Sequence, residues 1–87
     1  MKQLIFTIYD EKAEAFFPPF YMPNKSMAVR QFGDMVNDNK SQISLHPHDY
    51  TLFQLGQLDD NTSSFEEMKK TSIGNGVEFI TPTEEDA

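Results

Sequence analysis

The chain has no cysteine in 87 residues. Without a disulfide staple or a thiolate metal site, a polypeptide this short holds itself together by packing or by self-association. Its length sets a ceiling of one small domain. Seven basic and fourteen acidic side chains give a formal charge of -7 and a pI near 4.5. That is the wrong overall sign for coating nucleic acid through bulk electrostatics. Aromatics at 13% within a chain only 38% hydrophobic argue against global disorder.

The pattern along the chain then divides it. Lys2 to Tyr9 (KQLIFTIY) reads as a strand, with Leu4, Phe6 and Ile8 on one face and Ile5, Thr7 and Tyr9 on the other. After a polar turn at Asp10-Glu11-Lys12, Ala13 to Phe17 reads as a return strand. Pro18-Pro19 removes two ladder donors, so that strand belongs at an edge. Phe20-Tyr21-Met22 continues extended up to Pro23. Ala28, Val29, Phe32, Met35 and Val36 recur at three-and-four spacing, which predicts a helix from Ser26 to Asn37 capped by Asn24 or Ser26.

Lys40 to Asp49 reads as a polar loop and Tyr50 to Leu58 as a third strand. Phe65 to Met68 fits either a returning strand or a short helical turn. Val77 to Ile80 reads as a last strand after a Gly74-Asn75-Gly76 turn. The order strand, strand, helix, strand, strand predicts an α+β fold, a small antiparallel sheet with one helix packed on it. Residues 1–80 form the single domain, and 81–87, with Glu84-Glu85-Asp86, an acidic disordered tail.

No constellation of reactive groups emerges. His46-Pro47-His48-Asp49 places two imidazoles and a carboxylate together, but an extended path through Pro47 points the histidines apart and no further ligand completes a shell. No metal and no cofactor is expected. Ser41, Ser44, Ser63 and Ser64 lie in no nucleophile pattern, and the adjacent acids at Asp59-Asp60, Glu66-Glu67 and Glu84-Glu85 read as solvated. Catalytic residues are therefore expected to be none. The start of the chain lacks a secretory pattern, and its longest apolar run near the amino end is Leu4-Ile5-Phe6. These features predict no membrane association and a cytoplasmic protein.

The aromatics offer binding chemistry instead. Phe16, Phe17, Phe20 and Tyr21 bracket two prolines, and a core this small does not hide every ring. Exposed rings near cations form a stacking platform for unpaired bases, whereas buried ones pack under the helix or in a dimer seam. Charge is unevenly spread: residues 1–58 carry a net -1 and residues 59–87 a net -6. A nearly neutral body has room for a basic face, and the acidic end serves solubility or competes with nucleic acid for that face.

Three blocks, TIYDEKAEAFFPPF (Thr7 to Phe20), AVRQFGDMVND (Ala28 to Asp38) and HPHDYTLFQLGQLDDNT (His46 to Thr62), belong together. Through them the sequence resembles the small non-structural protein of gokushoviruses, the Microviridae subfamily of icosahedral phages with circular single-stranded DNA genomes. The resemblance covers most of residues 4–62 and little of 63–87. It implies a protein made in the infected bacterial cytoplasm and absent from the virion, acting in genome replication or in the switch from replication to packaging. It supplies no catalytic residues.

The expectation that follows is a homodimer that binds single-stranded DNA with one sheet face. Phe16, Phe20, Tyr21 and Tyr50 are the candidate platforms, and Lys2, Lys12, Lys25 and Arg30 the candidate phosphate contacts. The alternative is an interaction module with an aromatic anchor for a viral or host replication protein and no DNA contact.

Overall fold

A computed structural model describes residues 1–81, so residues 82–87, which make up nearly all of the expected acidic tail, lie outside it. The chain is α+β, as its pattern predicts, with a five-stranded antiparallel sheet and one main helix. Strand β1 (Lys2–Asp10) is central. On one side it pairs along its length with β4 (Tyr50–Asp59), and beyond that lies β5 (Ser64–Asn75). On its other side run two short pieces, β2 (Ala15–Phe16) and β3 (Phe20–Met22). Pro18-Pro19 lies in the gap between them, so the double proline breaks one returning edge strand into two.

The return starts later than its composition suggests, at Ala15 rather than Ala13. Asp10 accepts from the backbone N–H groups of Lys12 (3.0 Å) and Ala13 (3.2 Å), and Glu14 takes a left-handed φ of 54° to complete the turn.

Helix α1 (Lys25–Asn37) begins at Asn24, whose side chain accepts from the Met27 N–H at 2.9 Å. Its stripe of Ala28, Phe32 and Val36 closes over Phe6, Ile8 and Leu52 of the sheet. The segment expected as a plain loop contains α2 (Gln42–Leu45), which delivers Ile43 to the same core. Ser41 caps it, accepting from the Ser44 N–H at 3.1 Å.

Two expectations are corrected after α2. Pro47–Asp49 is a 3-10 turn and not an extended path, because proline at a first helical position has its φ already set. Val77–Ile80 is not a strand, and Gly74-Asn75-Gly76 is not a hairpin turn: β5 runs on to Asn75, and Gly76–Phe79 forms a 3-10 turn. The reason is capping. The Asn75 side chain accepts from the Val77 N–H (3.1 Å) while Glu78 accepts from the Asn75 N–H (2.7 Å). The Asn75 amide also donates to the His48 carbonyl (2.9 Å) and to Thr51 Oγ1 (3.1 Å). Asn37 then ties the segment after β5 to the helix, donating to the Phe79 carbonyl (2.9 Å) and accepting from the Thr81 N–H (2.9 Å). Phe79 itself packs edge-on against Phe32, with ring centroids 5.4 Å apart.

Two glycines predict opposite results. A Cβ at Gly33 would meet nothing within 4 Å, so Gly33→Ala should stabilise the fold by about 1 kcal/mol through helix propensity. A Cβ at Gly76 would strike the Pro47 backbone, 3.0 Å from its carbonyl carbon, so Gly76→Ala should cost about 1–3 kcal/mol. Urea denaturation of the two variants checks both signs.

Candidate nucleic-acid interface

One side of the sheet is filled by α1 and its neighbours. Among the described residues no helix covers the other side, which the alternation of β1 provides with Ile5, Thr7 and Tyr9. Register extends the row across the strands: Thr7 faces Phe53, Tyr9 faces both Thr51 and Phe16, and Ile5 faces Tyr21. Tyr9 and Phe16 rings lie 4.6 Å apart and Phe16 and Phe53 rings 6.1 Å apart. Phe16 is 48% exposed and Tyr21 49%, so both offer area to a ligand.

Lys70 from β5 reaches over this cluster. Its Nζ lies 4.7 Å from the Phe16 centroid and 5.2 Å from that of Phe53, within cation–π range. Beside it is an open, mainly apolar hollow of about 270 Å³ lined by Thr7, Phe16, Phe17, Pro19, Leu55 and Lys70. A hydrogen bond shapes its floor: the buried Thr7 hydroxyl donates to the Phe17 carbonyl at 2.7 Å, fastening the segment before the prolines to the sheet. Thr7→Val keeps the shape and removes the donor. It should cost about 1–2 kcal/mol, read as a lower urea midpoint.

The expected platforms separate by strand parity. Phe16 and Tyr21 are on the uncovered face. Phe20, opposite Phe6 in register, shares the face of Phe6, stacks on it at 6.0 Å and is half-buried against the core. Tyr50 is only 5% exposed and belongs to the core cluster. Burial, followed by the nearby Asp10 carboxylate, raises the pKa of its phenol above the ordinary value. Tyr50 is thus closed to a base by the same packing that makes it structural.

The four expected cations do not converge on the rings. Lys25 and Arg30 are exposed on α1, on the covered side of the sheet. Lys12 is in the turn after β1, and Lys2 at the other end of β1 faces Asp59 in register, with Glu66 lining the same depression. Tyr9, Phe53 and Lys70 were absent from the expected set and are the residues that complete the cluster. Tyr9 and Phe53 follow from alternation along β1 and β4, whereas Lys70 lies in a polar run with no apolar period to mark it.

His46 and His48 are both exposed, and His48 Nε2 lies 3.3 Å from Asp49 Oδ1. Among the described residues no group of three His, Asp or Glu is placed to hold a metal ion. Among them, too, no helix is long and apolar enough to cross a membrane.

The structure is thus a small α+β protein whose sheet is helix-covered on one side and aromatic on the other. Residues 3–79 match the model of the phage ORF5 protein family, and the chain belongs to that family. No curated protein and no solved structure matches it.

Proposed function

We propose that this phage protein binds single-stranded DNA through the uncovered sheet face, without catalysis, in viral genome replication or in the switch from replication to packaging. The observation that carries the reading is the cluster of Tyr9, Phe16 and Phe53 with the Lys70 ammonium over two of its rings. Flat side chains stack unpaired bases with little regard to sequence, and a cation beside them meets the phosphate between two bases. The hollow next to the rings is mainly apolar, and its one central hydroxyl, on Thr7, is already donated to Phe17. It therefore suits a base by shape and stacking and not by edge recognition. The host bacterial cytoplasm is where such a genome is copied, and the resemblance to gokushovirus non-structural proteins gives the reading its biological setting.

Titration of a fluorescent oligothymidylate at two salt concentrations tests it. Binding should weaken with salt along a log–log slope of about -0.7 per phosphate neutralised. Neutralising Glu84, Glu85 and Asp86 together (Glu→Gln, Asp→Asn) should tighten it, since less negative charge then opposes the phosphates. No measurable binding at low salt, with or without those substitutions, would overturn the reading in favour of a protein-binding module.

A further inference from the structure

Among the described residues the carboxy-terminal strand of the sheet leaves one edge unused: β5 pairs there only with β4, and every residue from Ser64 to Ser72 on it is exposed, including Phe65 at 67% and Met68 at 43%. A bulge opposite Leu55 leaves Met68, Lys69 and Lys70 without register partners on β4 as well. Of the backbone groups in that stretch, the Lys69 carbonyl is taken by the Thr71 hydroxyl at 2.8 Å. Long strands with free backbone groups on one side are templates for another strand.

The sequence of this edge specifies which strand. Glu66-Glu67-Met68-Lys69-Lys70 reverses its charge about Met68. We propose that β5 pairs with β5 of a second copy, antiparallel and centred on Met68. The acidic half of each strand then runs beside the basic half of the other, Glu66 alongside Lys70 and Glu67 alongside Lys69, twice over by symmetry. A parallel arrangement in register would set Glu against Glu and Lys against Lys, so charge selects the two-fold. A two-fold axis normal to the sheet keeps both helix-covered sides together and both aromatic faces together. If the uncovered face binds DNA as proposed above, the dimer presents two such faces side by side. The pairing itself does not depend on that reading.

Lysines and bulges on an edge strand have an opposite use, which is to keep the edge unpaired. The two uses give opposite results in sedimentation of the full chain without DNA. On the pairing model the wild type is a dimer, and Lys69→Glu/Lys70→Glu or Glu66→Lys/Glu67→Lys each weaken it roughly 10- to 100-fold. Mixing those two variants restores association, as does combining all four substitutions in one chain. Every altered side chain is exposed, so circular dichroism should show the fold retained. Because the chain has no cysteine, Met68→Cys supplies a single reporter that should form a cross-linked dimer on oxidation, whereas Phe65→Cys, six residues from its own copy's equivalent in this register, should not. A wild type that remains monomeric into the millimolar range, a mixture that fails to associate, or stronger association on removing the lysines would overturn the proposal.

Discussion

Phe32→Ala should leave the chain largely unfolded, or folded with most of its stability lost. Phe32 is fully buried where α1 meets the sheet, in one cluster with Phe6, Ile8 and Leu52, and the Phe79 ring closes edge-on against it. Removing a buried phenyl ring costs about 3–5 kcal/mol through lost transfer free energy and the cavity left behind. Domains of this size hold roughly 4–13 kcal/mol in total. The loss should be compounded because Phe79 belongs to the 3-10 turn that Asn75 and Asn37 hold in place, so that turn loses its apolar anchor together with the helix. Urea denaturation followed by circular dichroism reads the result. A midpoint within error of the wild type would mean that the helix-to-sheet core is not what holds the fold.

The second large effect concerns binding. Phe16→Ala should weaken oligothymidylate binding roughly 5- to 150-fold, the range expected for loss of one stacked base at about 1–3 kcal/mol. Phe16 is the centre of the ring cluster, touching Tyr9, Phe53 and the Lys70 ammonium. It is also half exposed, so its removal should disturb the fold far less than that of Phe32. Lys70→Ala should weaken binding by a smaller factor and also lower the salt slope, because it removes a phosphate contact. Lys25→Ala and Arg30→Ala, on the helix side, should leave affinity nearly unchanged. Equal losses from all four substitutions would point to diffuse charge attraction and away from a stacking face.

Much of this architecture was legible in the residues. Alternation through Leu4, Phe6 and Ile8 marked β1 as a strand and sorted its side chains onto two faces without telling which one meets the core, and the three-and-four spacing from Ala28 to Val36 gave the helix to within a residue of its observed start. What alternation did not convey was pairing. Phe20 and Tyr21 are neighbours in sequence, and only their register against Phe6 and Ile5 sends one to the core and the other to the open face. Tyr50 opens a strand whose apolar pattern was evident, yet its closure into the core depends on segments distant in sequence.

β5 was the least legible element. Its Ser64–Ser72 stretch is polar and exposed and has no buried face, so no apolar period marks it as a strand. It is held by pairing with β4, a non-local cause. The Gly74-Asn75-Gly76 signal was misleading for a local one: Asn75 uses its side chain as a cap, and the glycines serve close packing, Gly76 against the Pro47 backbone, with φ negative at both. Lys70 was missed for the same reason as β5. Its place above Phe16 and Phe53 comes from the strand order, which the linear pattern around it does not encode.

The most direct test of the binding face is residue-resolved NMR of the full chain during addition of oligothymidylate. The account predicts that ring and backbone shifts move at Tyr9, Phe16, Tyr21 and Phe53 and at the Lys70 side chain, while Val29, Arg30 and Met35 on α1 stay in place. Shifts confined to the helix side, or none at any concentration of oligonucleotide, would contradict it.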